Sequence, residues 1–305
     1  MLQNPAMKRI SMSSFCPVSF RTPLFSAFFA AMIFACAPVS PVAAQSVDAE
    51  RARLEVMDVI ETLFEGMRTG NADMVASTFA EGAMLASSGT RNGVPFVQKT
   101  AASEFVAAVG RPSPQPWDER IWNVEIDVQD NLASARMDYA FFFGEEFTHC
   151  GQNHIQYARH ADGSWKAIAL ADTRTPAAEC ELDPDQVEET AVRVALRHYL
   201  KGHATGDGAH HAQAMAEDVG SMYFVSDGAL QERTFEAYIA GSPGNPAPNE
   251  SERFRYIDWV EVSGTAAVGR VVLDYPGTYF VDYMSLLKID GEWQIVNKIF
   301  DRSSR

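Results

Sequence analysis

Positive charge is scarce in this chain: 25 lysines and arginines stand against 40 aspartates and glutamates, a formal charge of −15 over 305 residues. That shortage excludes a nucleic-acid partner, because neutralising phosphates needs clustered Lys and Arg. An acidic balance by itself keeps a surface soluble and names no partner. No phosphate loop, no His-Glu-x-x-His and no Ser-His-Asp arrangement occurs, so kinase, zincin and hydrolase readings have no residues to carry them. Long apolar runs are also lacking. The stretch from Leu24 to Cys36 is about a dozen residues, short of the ~20 a spanning helix needs.

That short run belongs to a segment unlike the rest. Lys8, Arg9 and Arg21 precede it, and Pro38 and Pro41 lead on to Val42-Ala43-Ala44-Gln45. A basic stretch, an apolar core and small residues at −3 and −1 read as an export signal over residues 1–44, with Met7-Lys8-Arg9 the more typical opening. Removing its three cations from the 25 leaves 22 against the 40 acids, a charge of −18. The expectation is an exported protein, periplasmic or secreted, with no stable membrane span once the signal is cut. Of four cysteines only Cys150 and Cys180 remain after it. In an oxidising compartment such a pair is expected to form a disulfide, the alternative being two buried free thiols.

The rest of the chain reads as one pattern written twice. Val56, Ile60, Leu63, Phe64 and Met67 follow helical spacing, and adding 136 gives Val192, Leu196, Tyr199, Leu200 and His203. Thr69-Gly70-Asn71 and Thr205-Gly206-Asp207 then stop each helix and cap the next. Short strand-like runs follow at Ala83–Ala86 and Ser221–Val225, then helical stretches around Val97–Val109 and Thr234–Ala240. Pro/Gly-rich loops end both. Val124-Glu125-Ile126 matches Val260-Glu261-Val262, and Met137-Asp138-Tyr139 matches Leu273-Asp274-Tyr275. The offset falls to 128 at the turns Asp162-Gly163-Ser164-Trp165 and Asp290-Gly291-Glu292-Trp293, where Asp-Gly predicts a hairpin. The first copy thus holds eight extra residues, in the stretch containing His149, Cys150 and His154. Each copy is expected to run helix, helix, short strand, helix, then three long antiparallel strands. That order is α+β, with three helices packed on a curved antiparallel sheet in each of two tandem cone-shaped domains. The expected divisions are 45–174, a linker at 175–186, and 187–305.

This order of elements resembles the nuclear transport factor 2-like superfamily, the cone (cystatin-like) fold shared by ketosteroid isomerases, scytalone dehydratase and SnoaL-like polyketide cyclases. Tyr199-x-x-Gly202-x-x-x-Gly206-Asp207 and Leu286 to Lys298 look like its lumazine-binding-like members. The first half, with Gly163-Ser164-Trp165 and Ala171-Asp172-Thr173, looks like a SnoaL-like copy. The resemblance implies a pocket between helices and sheet in each copy, and no single chemistry, since this fold carries isomerases, dehydratases, binders and adaptors.

Strand alternation points Tyr139 and Tyr275 inward, where either could donate to a ligand carbonyl, core packing with a satisfied hydroxyl being the default. Asp138 and Asp274 fall on the opposite face, beside Arg136 and Arg270, and read as surface charges. His149 and His154 are acid/base candidates, though their i, i+5 spacing sets them on opposite faces of a regular strand and argues against a shared metal. His198, His203, His210 and His211 lack the spacing of a metal site, so no metal and no cofactor is expected. Asp282 is the carboxylate candidate of the second copy, with a facing that apolar neighbours on both sides leave open. The expected pocket residues are Tyr139, Phe141, Trp165, Tyr223, Tyr275, Tyr279, Asp282 and Trp293. Three functions stay open: binding of a small apolar or aromatic molecule, an isomerase, dehydratase or cyclase using His149, His154 or Tyr139, and a structural or interaction module. The two copies are also expected to pair with one another as an internal pseudo-dimer.

Overall fold

The computed structural model describes residues 41–304 apart from Asn92. The leader falls outside these residues save for its last four, which sit at the start of helix α1 (Pro41–Arg68). Among the described residues no helix is long and apolar enough to cross a membrane.

Helix α1 buries the stripe expected of it, Val56, Ile60, Leu63, Phe64 and Met67. Gly70 then takes a positive φ, and the Asn71 side chain accepts from the Met74 amide to start α2 (Ala72–Thr78). Strands β1 (Phe79–Arg91) and β2 (Val94–Ala101) form a hairpin before α3 (Ala102–Val109). Four long strands follow: β3 (Trp117–Gln129), β4 (Leu132–Phe143), β5 (Glu146–Arg159) and β6 (Trp165–Pro176). The sheet order is β2-β1-β6-β5-β4-β3.

The second copy repeats this plan. Asp183 caps and Pro184 opens α4 (Pro184–Thr205), a combination suited to a first helical turn. Gly206, at φ 71°, closes it, and Asp207 caps α5 (Gly208–Ala214). Strands β7 (Ser221–Ser226) and β8 (Ala229–Thr234), helix α6 (Phe235–Ala240), then β9 (Phe254–Ser263), β10 (Ala266–Tyr275), β11 (Thr278–Ile289) and β12 (Glu292–Ser304) complete it. Their order is β8-β7-β12-β11-β10-β9.

The architecture is the expected α+β, three helices and one sheet in each of two copies, with three departures. Residues 97–101 are strand and not helix, because Gly93 turns the chain back and β2 pairs with β1 from Val94 to Ala101. The long strands number four per copy, and the short first strand joins the last one in parallel, β1 with β6 and β7 with β12, so the sheets are not wholly antiparallel. The strand β8 was hidden because every one of its residues is exposed, which erases alternation. Its hairpin turn, Asp227-Gly228, is another Asp-Gly pair with both residues at positive φ.

The tryptophans of the repeated turn do the same job in both copies. Trp165 Nε1 donates to Glu55 on α1 at 3.2 Å, and Trp293 Nε1 donates to Glu188 on α4 at 2.8 Å. Each ties the last strand to the first helix of its own copy.

The copies meet through α1 and α4, which lie side by side in the same direction. Arg197 Nη1 reaches Glu61 at 2.8 Å and Lys201 Nζ reaches Glu65 at 3.8 Å, both pairs 136 residues apart. Matching positions therefore face each other. Thr190 Oγ1 also donates to the Ile121 carbonyl and accepts from its amide, pinning α4 to β3. The expected linker is short: β6 runs to Pro176, and Cys180 is bonded to Cys150 of β5.

Candidate functional site

The first cone encloses a cavity of about 550 Å³ between α1, α3 and the sheet. Its walls are aromatic, with Phe64, Phe105, Trp117, Tyr139 and Phe141 among them. Its floor is ionisable: Glu119, Asn153, Asp172 and Arg174 converge there from three strands.

These four reach the interior because the strands are not regular. On β3, Trp117, Glu119 and Ile121 face inward by alternation. A bulge between Trp122 and Glu125, with Asn123 at φ 49°, then switches the inward face to Val124, Ile126 and Val128. On β6 the buried residues change from Trp165 and Ala167 to Leu170 and Asp172, an equivalent switch opposite the Gln156/Tyr157 irregularity.

The floor is a chain of hydrogen bonds. Asn153 Nδ2 donates to Glu119 Oε1 at 2.6 Å. Asp172 accepts from Ser87 Oγ at 2.6 Å and from Arg174 Nε at 2.9 Å. Burial raises the Glu119 carboxyl, and the Asp172 charge adds to this. The Asn153 bond and Arg174 oppose it, leaving a pKa of about 7. A carboxyl so poised can hold or release a proton at neutral pH. His149, stacked on Phe141 at 5.1 Å and sharing a 2.7 Å contact between its Nδ1 and Thr148 Oγ1, is pushed down to about 4 by burial and by Arg174. At neutral pH it is an uncharged imidazole. The Tyr139 hydroxyl donates to the Thr173 carbonyl at 2.8 Å, and burial raises its pKa.

The second cone has a different interior. Asp282 is fully buried on β11, with Lys298 Nζ at 2.9 Å and the Tyr199 hydroxyl donating at 2.7 Å. Lys298 also donates to the Tyr199 oxygen at 2.6 Å. Rings of His203, His211 and Tyr238 pack round this triad with centroids 4.8–5.6 Å apart. His211 lies so close to Gly202 that a Cβ there would meet its ring at 2.3 Å. The space that is cavity in the first cone is filled here. Burial lowers Lys298, and Asp282 opposes the effect. Burial and Asp282 raise Tyr199.

Of the expected site residues, the structure brings Tyr139, Phe141 and His149 together at the first cavity. His154 lies on the other face of β5, beside Arg136 and Glu125. Trp165 and Trp293 hold their helices. Tyr223 donates to Glu232 on the exposed β7–β8 ribbon. Tyr275 takes a bond from Arg255 at 2.8 Å, and Tyr279 lies on the face of β11 opposite Asp282, with its hydroxyl 3.5 Å from that of Tyr256. Asp138 is held by Asn123 and Gln152 on the outer face. The two cysteines form a disulfide with Cα atoms 6.1 Å apart. Glu119, Asn153 and Arg174 were not foreseen, nor were Tyr199 and Lys298 as partners of Asp282. Among the described residues no group of three or more His, Cys, Asp and Glu is placed to hold a metal ion.

A protein named aldolase FrzH, from Cladobotryum sp, is 29% identical over 85 residues, which is 25% of this chain and 68% of that protein. Solved structures similar to part of the chain include an NTF2-like protein of Shewanella baltica, 26% identical, covering 38% of this chain and 94% of its own, with a TM-score of 0.35. Another is an NTF2-like protein with a cystatin-like fold from Novosphingobium aromaticivorans, 14% identical, covering 47% and 94%, with a TM-score of 0.39. One family model, described as "Putative lumazine-binding", matches residues 51–169 and again 187–301. With both halves and most of its length matched, the chain belongs to that family as a tandem pair.

Proposed function

We propose that the first cone binds a small, largely apolar or aromatic molecule carrying one hydrogen-bonding group. The observation that carries this is the cavity of about 550 Å³, aromatic on its walls and ionisable only at its floor. Apolar walls supply affinity and a few convergent polar groups fix orientation. The ligand's polar group meets Glu119, whose proton can be given to an acceptor or withdrawn for a donor. The second cone, filled by its own side chains, serves as the structural partner of the first in an internal pseudo-dimer. The pairs Glu61–Arg197 and Glu65–Lys201 support that reading. Divisions at 45–174 and 187–305 fit the same scheme, and the Cys150–Cys180 bond favours export.

Thermal-shift titration against neutral aromatic ketones, phenols and matched hydrocarbons tests it. Ketones or phenols should raise the melting temperature of the native protein and do so less in Glu119→Gln and Phe141→Ala. Equal responses in all three proteins would contradict it.

One observation favours catalysis: Glu119 titrates near neutrality at the cavity floor. On that reading Glu119 moves a proton α to a ligand carbonyl, and Asn153 holds it in place. The relative named as an aldolase is in keeping with carbonyl chemistry. Deuterium exchange into a bound ketone, present in the native protein and absent in Glu119→Gln, separates turnover from binding.

A further inference from the structure

We propose that the cleft between the two cones, bounded by α1, α4, the β5–β6 turn and the start of β9, binds a small organic anion with a phosphate or carboxylate on an apolar body. It is independent of the first-cone reading.

The duplication supplies its own control. The cleft has a volume of about 560 Å³, and α1 contributes Glu55, Asp58, Val59 and Thr62 to it. A second cleft of about 490 Å³ takes Ala191, Val194, Ala195 and His198 from α4, the same four positions 136 residues on. The β5–β6 turn at one corresponds to the β11–β12 turn at the other. Arg253–Arg255 at the start of β9 corresponds to Asp118–Arg120 at the start of β3. Packing two like domains about α1 and α4 therefore makes both clefts. Their charges differ.

In the second cleft the charges answer each other. Asp118 sits between Arg68 at 3.1 Å and Arg120 at 2.8 Å, and Arg120 also reaches Glu188 at 3.6 Å. The first cleft is lined by five cations, Lys166, Arg197, Lys201, Arg253 and Arg255, against Glu55 and Asp58. Glu55 is already held by Arg51 and Arg159 from outside the cleft. Arg197 is matched by Glu61, and Arg255 by both oxygens of Glu250. That leaves Lys166 and Arg253, neither of which has a carboxylate within ion-pair distance among the described residues, and Lys201, 3.8 Å from Glu65.

Domain packing does not require this excess, since the sister cleft forms without it. In a chain with 40 acids to 25 bases, a concave site left positive runs against the composition. Concave walls also concentrate such a field. The guanidinium of Arg253 is oriented: its face lies 4.4 Å over the Tyr275 ring, and its Nε donates to Asn249 at 3.1 Å. Its remaining N–H groups have the planar fork that suits phosphate or carboxylate. Val59, Trp165, Leu200 and Phe254 line the same cleft and give the apolar body a surface.

Isothermal titration calorimetry of the full chain with phenyl phosphate, phenylacetate and benzyl alcohol tests this. One or both anions should bind, the tighter naming the headgroup, and affinity should fall as salt rises from about 50 to about 300 mM. Lys166→Ala with Arg253→Ala should weaken binding by about tenfold or more with melting temperature unchanged. Arg174→Ala, which alters the first-cone floor, should leave it intact. No anion binding at about 10 mM, equal binding of benzyl alcohol, or loss on Arg174→Ala with the cleft variant unaffected overturns the proposal. If the double variant does not fold, Arg253→Gln alone decides, and full affinity there overturns it too.

Discussion

Glu119 and Asn153 lie on strands separated by β4, yet their side chains meet at 2.6 Å under the sheet and close the floor of the first cone. The contact spans 34 residues of sequence and joins an acid that burial has made weak to an amide that is itself 2% exposed. It is the chemical centre of the open cavity.

The Glu119 carboxyl has an ordinary value of 4.5 and is held near 7 in the fold. The folded protein thus keeps a proton that the unfolded chain gives up between those values. Its contribution to stability is complete below pH 4.5 and is lost as pH rises through 7. The loss is no more than about 3 kcal/mol, and less to the extent that the cavity admits water. Urea denaturation at pH 5 and pH 8 should show a smaller decline for Glu119→Gln than for the native protein. Parallel declines would remove Glu119 from the account.

Both helical stripes, the double Asp-Gly-x-Trp turn and the order of helices and sheets were legible in the sequence, because amphipathic period and turn chemistry are local. The floor of the cavity was not, and the reason is the bulges. Extending the Val124, Ile126, Val128 face back along β3 points Asp118 and Arg120 inward and Glu119 outward. One extra residue at Asn123 reverses that. On β12 the same extrapolation from Trp293 and Ile295 selects Asn297. The irregularity opposite Ser285 and Leu286 turns Lys298 in instead, to meet Asp282. Tyr139, Phe141 and His149 lie on stretches where alternation holds, and they were found.

The Asp282–Lys298 pair predicts an asymmetric mutational response. Lys298→Met leaves a fully buried carboxylate whose Oδ1 already lacks a partner. Removing one member of such a pair costs about 3–5 kcal/mol, whereas replacing both by apolar residues of like volume is close to neutral. The first copy shows which residues fit: Ile155 pairs across the sheet as Asp282 does, and Leu170 stands 128 residues before Lys298. Asp282→Ile with Lys298→Leu should recover most of the loss seen by chemical denaturation. A double variant as unstable as Lys298→Met would refute the pairing argument.

Reduction of Cys150–Cys180 frees a loop of 30 residues between β5 and the segment leading to α4. Chain entropy alone puts its contribution at about 3–4 kcal/mol. Guanidinium denaturation with and without reductant should differ by that order. Free thiols titrating in the unreduced native protein would show that the bridge does not form.

The contact of the two copies depends on Glu61, which lies 2.8 Å from Arg197 and 3.7 Å from Arg193. Burial raises its pKa, and the two arginines oppose the shift. Arg197→Met should cost about 2–4 kcal/mol, somewhat below the figure for a fully buried pair. Calorimetry should then resolve two unfolding transitions where the native protein has one. A single transition with an unshifted midpoint would mean that the copies are held together elsewhere.

The most direct measurement counts ligands. Native mass spectrometry of the full chain with a neutral aromatic ketone should give one molecule bound per chain, with occupancy reduced by Glu119→Gln and unchanged by Tyr238→Phe in the filled second cone. Two molecules per chain, or occupancy that follows Tyr238 and ignores Glu119, would contradict an open first cone beside a closed second one.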